Sequence, residues 1–563
     1  MRLLPALCLV VVACGPSGRP NTGDGGANSH TDANPGCQLA CSPDSHAIVD
    51  CNGVVVTQCT GADACDDRTH TCGDACTGAA ANHHSVGCDY YATDMDSEQP
   101  SYCFAAFVAN TWTSPAHITV EYGGVAQPVA SFTRLPVGAG PALTYSAYDA
   151  TAGVPPGEVA VLFLGGDSGG APNCPVPSAV AGASLTGTGM TTSFHIKTDV
   201  PVVAYQINPY GGGSVAVTAA SLLLPTSVWD TDYVAVNVSE QSQAGGGSPS
   251  LNIIAQQDGT VVTLTPKAAV LGGAGVPPGA AGAPMMFTLG KGQNAQITQS
   301  AELTGSIITA SAPIGLMAGQ PCMNMPASVS YCDHGEQMVP PVHALGHRYV
   351  GVMYRPRTSS ETSTFWRIIG AADGTTLTYS SNVGGPATIN KGQVALFETG
   401  TPFIVQSQDA DHPFALFTYM TGSTYSAGDG YGDPDFVVSV PPEQYLSDYV
   451  FFADPTYPES NLVVIRAKGS DNAFHDVNLD CAGALTGWTD LGDFQWTRTD
   501  LMRHDFVPVG QCSTGRHGIK SDAPFGLWVW GWGTPETVSF TGNVSYGYPG
   551  GMNVASINTV VIQ

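Results

Sequence analysis

The sequence has few charged residues and few basic ones. Only 11% of its residues are Asp, Glu, Lys or Arg, and 18 Lys and Arg stand against 45 Asp and Glu, which gives a formal net charge of −27. A surface this acidic repels phosphate backbones, which argues against nucleic acid as a partner. The sequence also lacks an apolar run of the ~18 residues that a membrane-spanning helix needs, so none is predicted.

Glycine and proline are abundant where charge is scarce. The 68 Gly and 41 Pro supply too much turn chemistry for long helices and favour many short strands, so an all-β fold is expected. At 563 residues the chain exceeds the roughly 250–300 residues at which one hydrophobic core stops growing. We therefore expect several domains.

The N-terminus is typical of an exported lipoprotein. Arg2 precedes a short apolar run that ends in Val11-Val12-Ala13-Cys14, which has the form of a lipobox. Residues 1–14 are predicted to be a signal peptide, with Cys14 carrying the lipid. Gly15, by resemblance to enteric sorting rules, permits an outer-membrane or surface location. The alternative is an ordinary secretory signal in which Cys14 is incidental.

Residues 15–36 contain little that could be buried and are predicted to form a disordered tether. Residues 37–76 then form a cysteine-rich module that is too short to be stabilised by apolar burial alone. Its cysteines are Cys37, Cys41, Cys51, Cys59, Cys65, Cys72 and Cys76. Export favours disulfides, although zinc is an alternative because Cys37 and Cys41 have finger-like spacing near His46 and His70.

The remaining cysteines are also disulfide candidates. Cys76 and Cys88 are predicted to form a pair at the junction with the rest of the chain. Six more are spread thinly: Cys103, Cys174, Cys322, Cys332, Cys481 and Cys512. The spacing does not define the other pairings, because the six cysteines from Cys37 to Cys72 alone allow fifteen connectivities.

From about residue 85 the sequence repeats itself. A proline followed by an apolar strand recurs about every 100–112 residues, at Pro201, Pro313, Pro413 and Pro524. Asp258-Gly259 and Asp373-Gly374, each between apolar strands, predict hairpins, and a Tyr-Val pair recurs at Tyr233, Tyr349 and Tyr449.

This spacing predicts about four tandem β-sandwich-like repeats within residues 85–563, because a sandwich takes about 100 residues. The repeats are placed approximately at 85–215, 216–325, 326–428 and 429–563. Each proline is expected to begin the strand that closes its repeat, where a missing N–H costs least. A β-propeller with two blades per repeat is the alternative.

One segment resembles the nucleophile motif of chymotrypsin-like serine proteases. Gly166-Asp167-Ser168-Gly169-Gly170 would supply Ser168 as nucleophile, with His117 as base and Asp149 to orient it. The interval between His117 and Ser168 is too short to hold the barrel that separates them in those enzymes. The segment is also ordinary turn chemistry, so we expect no enzyme activity.

The metal candidates are weak, and no cofactor is predicted. His343 and His347, near Asp333 and His334, would lie about 13 Å apart on a strand, which is too far for one zinc ion unless the segment is helical. The acidic residues of the segment AGDGYGDPDF, Asp429, Asp433 and Asp435, resemble a loose calcium loop without its regular spacing. We expect His343 and His347 to have structural roles, and calcium binding by the acidic residues remains an alternative.

Trp528, Trp530 and Trp532 alternate along one predicted strand and therefore face one side. Exposed, they could stack on sugar rings. Trp528 and Trp530 align with Phe417 and Tyr419 of the preceding repeat, which favours a place in the core.

The sequence resembles the N-terminal domain family of IgGFc-binding protein. The resemblance rests on Gly87-Cys88-Asp89-Tyr90-Tyr91-Ala92, IIAQQDGTVVTLTP at 253–266, the stretch from Gly432-Asp433-Pro434 to Pro442-Glu443-Gln444-Tyr445, and SDAPFGLWVWGWG at 521–533 with its continuation to Gly551. It covers roughly residues 85–563. It implies an extracellular, disulfide-containing, non-enzymatic β module, associated in animals with immunoglobulin Fc and mucus.

No binding residue is carried over from that family. The sequence as a whole predicts a non-enzymatic surface lipoprotein that binds or adheres to an extracellular protein or glycan. The alternatives are a structural envelope component without a soluble ligand, and a secreted serine hydrolase that uses Ser168.

Overall fold

The computed structural model describes residues 39–42, 45–66, 68–166, 174–212, 215–537 and 542–562. Leu39–Gln563 form one compact unit. Cys14, Cys37 and Ser168 lie outside the described residues. Within those residues, no helix has the length and apolarity needed to span a membrane.

The cysteine-rich module is a pair of small sheets and one helix. Its elements are β1 (Ala40–Cys41), β2 (Ala47–Val49), β3 (Val55–Gln58), β4 (Asp63–Asp66), β5 (Thr71–Asp74) and α1 (Ala75–Asn82). β1, β2 and β3 form one antiparallel sheet, and β4 pairs with β5. The prediction of a disulfide-rich N-terminal region is confirmed by Cys41–Cys65, Cys59–Cys72 and Cys76–Cys88. Cys51 is disulfide-bonded as well.

The first repeat forms a nine-stranded antiparallel sheet. Its region contains β6 (Gly87–Ala92), β7 (Phe104–Asn110), β8 (Ile118–Tyr122), β9 (Val125–Ala126), α2 (Val129–Phe132), β10 (Thr133–Val137), β11 (Thr144–Ala147), β12 (Val159–Gly165), β13 (Gly189–Thr192), β14 (Phe194–Asn208) and β15 (Ala219–Leu222). The order is β11-β10-β12-β7-β14-β8-β9, and β6 and β15 also pair with β14.

The second repeat forms an eight-stranded sheet that also takes in β13. Its strands are β16 (Asp230–Val234), β17 (Ser250–Ala255), β18 (Thr260–Thr265), β19 (Met285–Leu289), β20 (Gln293–Thr298), β21 (Ile307–Met323) and β22 (Asp333–Val339). The order is β13-β20-β17-β21-β18-β19, and β16 and β22 pair with β21.

The third repeat is divided among three smaller sheets. Its elements are β23 (Arg348–Gly351), β24 (Thr364–Gly370), β25 (Thr375–Thr376), β26 (Thr378–Tyr379), β27 (Thr388–Ile389), β28 (Val394–Thr399), β29 (Phe403–Gln406), β30 (Phe414–Met420), α3 (Ser423–Ser426) and β31 (Asp435–Val438). The sheets are β23-β29-β26, β28-β24-β30-β31 and β25-β27.

The fourth repeat again forms one nine-stranded sheet. Its strands are β32 (Leu446–Ala453), β33 (Glu459–Ala467), β34 (Val477–Leu479), β35 (Gly483–Ala484), β36 (Thr489–Leu491), β37 (Phe494–Arg503), β38 (Val507–Pro508), β39 (Gly515–Trp532) and β40 (Ser545–Pro549). The order is β35-β34-β39-β33-β37-β36, with β32 and β40 on β39 and β38 on β37.

The all-β prediction is confirmed, and the propeller alternative is wrong. That alternative required two four-stranded blades from each repeat, whereas the described strands of three repeats gather into single sheets of eight or nine strands. The strand after each proline-containing strand belongs to the same sheet, so β15 pairs with β14 although it lies beyond residue 215.

The prolines occupy a different place from the predicted one in three repeats. Pro201, Pro313 and Pro524 lie inside the long strands β14, β21 and β39, each at a shift of register. A β-bulge leaves a residue outside the hydrogen-bond ladder, so the missing N–H of proline costs little there. Only Pro413 directly precedes its strand, β30, as expected.

A tyrosine hydrogen bond recurs beside these four prolines. In every repeat, a phenol near the first strand donates to the carbonyl of the residue that follows the proline. The pairs are Tyr90 to Val202 (2.7 Å), Tyr233 to Ile314 (2.8 Å), Tyr349 to Phe414 (2.7 Å) and Tyr449 to Phe525. Tyr90 in the first repeat and the Tyr-Val pairs of the other three therefore tie the first strand of each repeat to its longest or central strand.

The Asp-Gly turns form, but the hairpins predicted around them do not. Gly259 and Gly374 have φ of +72° and +68°, which glycine adopts without strain. Strands β17 and β18, on either side of Gly259, do not pair with each other; both pair with β21, on opposite sides of Pro313. The bulged strand β21 thus pairs with both β17 and β18, which would pair with each other in a simple hairpin.

The four repeats meet at their last strands. β15 packs against β22, β22 against β31, β31 against β40, and β40 against β15. Gln337 on β22 donates to the carbonyls of Ala220 (2.8 Å) and Gly547 (2.9 Å), which links three of these strands. Trp528, Trp530 and Trp532 on β39 are 5%, 1% and 0% exposed, so they belong to the core, as expected.

Candidate binding site

A cavity lies where the cysteine-rich module meets the first and fourth repeats. Its volume is about 490 Å³, within the range of small-ligand sites. The module contributes Ser45, His46, Gln58, Ala64, Ala79 and Asn82; the first repeat contributes Thr111, Trp112, Thr113 and Pro201; the fourth contributes Tyr445, Leu446, Ser447, Asp448, Val450, Arg516 and Pro524; and His84, Val86 and Asn553 complete the lining.

Hydrogen bonds and a disulfide position the module wall. Asp74 directly precedes helix α1 as its N-cap, and its side chain accepts from the Thr77 N–H at 2.8 Å, which is favourable. Cys76 in this helix is bonded to Cys88 at the start of the first repeat. The last residue of the helix, Asn82, donates to the Ser45 hydroxyl at 2.9 Å.

Trp112 joins the module to the first repeat. Its ring stacks on His46 with centroids 4.0 Å apart, and its indole N–H donates to the Gly61 carbonyl at 3.0 Å. The backbone N–H of Trp112 donates to Asn110 at 2.8 Å, which orients the turn after β7. One aromatic side chain thereby holds two walls of the cavity together.

The fourth repeat supplies the third wall from β32 and β39. These strands pair in register, Phe452 opposite Arg516 and Asp448 opposite Lys520. Among the arginines of the described residues, Arg516 is the only one that forms neither a hydrogen bond nor an ion pair. Its Nε is buried and has no hydrogen-bond partner.

The residues predicted for a protease do not come together in the described part of the chain. His117 Nδ1 lies 2.7 Å from Asp199, which raises the pKa of His117, and Nε2 lies 3.3 Å from the Thr151 carbonyl. Asp149 instead accepts from the Thr151 N–H and hydroxyl, bonds that lower the pKa of its carboxyl. His117 is therefore oriented by Asp199, not by Asp149.

The predicted metal candidates have separate partners. His343 Nδ1 lies 2.6 Å from Asp230, whose pKa this contact lowers, and Nε2 lies 3.2 Å from the Val554 carbonyl. His347 lies 3.9 Å from Glu443. Both histidines thus have carboxylate neighbours of their own.

Several acidic residues of the weak metal motifs are buried at the junction of the repeats. Asp333 and Asp435 are 0% exposed and Asp433 is 2% exposed, whereas Asp429 is exposed. Burial raises the pKa of Asp333 and Asp435, and it raises that of Asp433 to about 7. Buried His334 lies 3.8 Å from Glu336.

A different triad has ligand atoms close enough for one metal ion. Asp480, Cys481 and His517 offer such atoms within 4.8 Å of one another, the one group of this kind in the described residues. Cys481 is bonded to Cys512, so its sulfur is not available as a thiolate ligand. Two more disulfides, Cys103–Cys174 and Cys322–Cys332, brace the first and second repeats.

The fold and its disulfides define a class: an exported all-β protein that folds in an oxidising compartment and carries a ligand-sized cavity. The chain belongs to the IgGFc binding protein family, whose family model matches residues 219–531, more than half of its length. It is similar to the human IgGFc-binding protein, with 24% identity over 304 residues, 52% of this chain and 5% of the human protein. The chain thus covers only a small part of that relative. No solved structure matches it.

The matched residues include only one wall of the cavity. Tyr445, Val450, Arg516 and Pro524 lie within 219–531, whereas the cysteine-rich module and Trp112 lie outside. Sequence reasoning missed the cavity because its lining comes from three distant segments. The one signal was the concentration of cysteines, which indicated a module rigid enough to form a wall.

Proposed function

We propose that this protein is a non-enzymatic, lipid-anchored surface protein that binds an extracellular protein or glycan in the cavity between its module and its repeats. The observation that carries the proposal is the composition of that cavity. Hydroxyls, amides and ring edges line it beside aliphatic groups, a mixture that can orient a polar ligand and exclude water from part of it.

Disulfides support a binding role because they fix the cavity before any ligand arrives. A rigid site loses little conformational entropy on binding, and preorganisation of this kind favours affinity. The name of the human relative supplies one ligand to test, immunoglobulin Fc. Because the shared region is so small a part of that protein, Fc is one member of a panel here.

The direct test measures binding of the purified, oxidised protein to immunoglobulin Fc, mucin glycoproteins and a polysaccharide panel, with and without calcium. Ser447→Trp should fill the cavity and abolish saturable binding. Ser146→Trp, on the exposed strand β11 outside the cavity, is the matched control and should bind normally. Binding that Ser447→Trp leaves unchanged would place the ligand elsewhere and refute the proposal.

Lipid anchoring is tested separately. Cys14→Ala should abolish incorporation of labelled lipid and release the protein from membranes, because the thiol is the acceptor. Cys8→Ala, a change within the same apolar run, should leave both unchanged. Membrane retention of Cys14→Ala would contradict anchoring through Cys14.

The absence of a serine hydrolase activity is also testable. A fluorophosphonate probe should not label Ser168, because His117 Nε2, the nitrogen that would accept the serine proton, lies 3.3 Å from the Thr151 carbonyl. Labelling of the protein that disappears in Ser168→Ala would contradict the non-enzymatic proposal.

A further inference from the structure

Arg516 differs from every other arginine of the described residues. The others form hydrogen bonds or ion pairs, as Arg357 does with Glu361 and Arg498 with the Met353 carbonyl. Arg516 forms neither, although its Nε is buried. A guanidinium carries five N–H donors, and leaving donors buried without an acceptor is costly.

The position of Arg516 connects this free guanidinium with a ligand site. Arg516 lines the cavity of about 490 Å³ beside Val450 and Asp448. The carboxylate of that wall, Asp448, lies opposite Lys520 in the register of β32 and β39. The cavity therefore contains an arginine that lacks a protein partner in a chain whose formal net charge is −27.

The net charge of the chain bears on how an anion could be held in the cavity. A protein this acidic repels anions at long range, so an anionic ligand needs a cation inside the site that receives it. A guanidinium binds carboxylate or sulfate through two parallel N–H donors, a geometry that a neutral hydroxyl cannot reproduce.

The other lining groups can bind the uncharged parts of a saccharide. Asn82, Asn553 and Gln58 carry amides, and Thr111 and Thr113 carry hydroxyls, all of which can bond sugar hydroxyls. The rings of Trp112 and Tyr445 supply apolar edges for the C–H faces of a sugar ring. Together these groups provide neutral recognition around a single cation.

We propose that the cavity binds a saccharide that carries a carboxylate or sulfate group, and that Arg516 pairs with this group. The inference rests on the proposed binding function of the same cavity. The acidic sugar could belong to a glycoprotein or to a free acidic polysaccharide, since both offer the same chemistry.

The test compares ligands that have the same sugar rings and differ in whether their carboxyl groups are charged. An oligogalacturonate and its methyl ester have the same rings, but the ester lacks the carboxylates. Titration calorimetry should show at least a ~10-fold weaker affinity for the ester, the loss expected for one charge-assisted pair. Sialylated mucin against the same mucin after sialidase treatment tests the glycoprotein source.

Variants assign the difference to Arg516. Arg516→Gln should weaken oligogalacturonate binding ~10-fold and leave any binding of the ester unchanged, while Arg516→Lys should restore part of the loss. Arg134→Gln is the control, because the Arg134 guanidinium donates only to the backbone carbonyls of Ala130 and Thr133.

The outcomes separate this inference from the proposed function. Equal binding of acid and ester, blocked by Ser447→Trp, would keep the cavity as a binding site and overturn the role of Arg516. Failure of every acidic saccharide to bind would also overturn it, while Fc binding blocked by Ser447→Trp would still support the proposed function. Circular dichroism and thermal unfolding confirm that each variant is folded.

Discussion

Replacing Asp454 by Asn should stabilise the protein above pH 6 and have little effect at pH 4. Asp454 follows β32 and is 3% exposed. Its Oδ1 accepts from the Thr456 N–H at 2.7 Å and from the Thr456 hydroxyl at 2.6 Å. Its Oδ2 is buried without a hydrogen bond. Burial therefore raises the pKa of this carboxyl to about 6.

The direction of the pH dependence follows from the difference between the pKa of Asp454 in the folded protein and in the unfolded protein. The pKa of Asp454 is raised from 3.8 to about 6 on folding, so the folded state holds the proton more tightly. The stability from this protonation is complete below about pH 4 and is lost as the pH rises through about 6. Two pKa units correspond to about 3 kcal/mol, an order-of-magnitude figure for a fully buried group.

Asparagine keeps the oxygen that accepts from Thr456 and carries no charge at any pH. Its amide places a donor where Oδ2 lies, much as protonated aspartic acid places a hydroxyl there. We therefore expect Asp454→Asn to match the wild type at pH 4 and to exceed its free energy of unfolding by up to about 3 kcal/mol at pH 8.

Guanidinium unfolding followed by tryptophan fluorescence, with the disulfides intact, measures both values. Asp149→Asn is the control, because hydrogen bonds lower the pKa of this exposed carboxyl and the substitution should not stabilise the protein at pH 8. If Asp454→Asn is no more stable than the wild type at pH 8, or is more stable by the same amount at pH 4, the reasoning is refuted.

Three further predictions concern the fold and the cavity. Tyr449→Phe removes the hydrogen bonds of the phenol to the Leu446 N–H and the Phe525 carbonyl, so a denaturant titration should show a free energy of unfolding lower by about 1–3 kcal/mol. The control Tyr331→Phe, at a 45% exposed site, should change the free energy of unfolding little. Replacing both Cys76 and Cys88 by Ala removes the disulfide that fixes the module wall of the cavity to the first repeat. Calorimetry should then show weaker ligand binding, while the repeats still unfold cooperatively. An unchanged affinity would contradict a role for this wall. Trp530→Ala should cost roughly 3–5 kcal/mol in chemical unfolding because the side chain is 1% exposed, and a loss of glycan binding without that destabilisation would contradict its place in the core.

The repeated β architecture could be predicted because its signals are local. Prolines, Asp-Gly turns and Tyr-Val pairs recur at a fixed interval, and each depends on backbone geometry within a few residues. The structure explains the recurrence of the tyrosines: each phenol bonds the carbonyl after the proline of its repeat, as Tyr233 bonds Ile314.

The predictions that were wrong concern features that depend on pairing between distant segments of the chain. The position of Pro313 inside β21 and the separation of β17 from β18 follow from a bulged strand that pairs with both, which no local pattern encodes. The cavity could not be predicted for the same reason, since Trp112 and Arg516 line one cavity only after the whole chain has folded.

The function proposed for this protein requires that the cavity bind a ligand. The most direct measurement is calorimetric titration of the oxidised wild-type protein, Ser447→Trp and Ser146→Trp with Fc, mucin and acidic and neutral polysaccharides. We predict saturable binding of one ligand class by the wild type and Ser146→Trp, and none by Ser447→Trp. Binding of equal affinity by all three proteins, or no binding of any ligand by the wild type, would contradict the account.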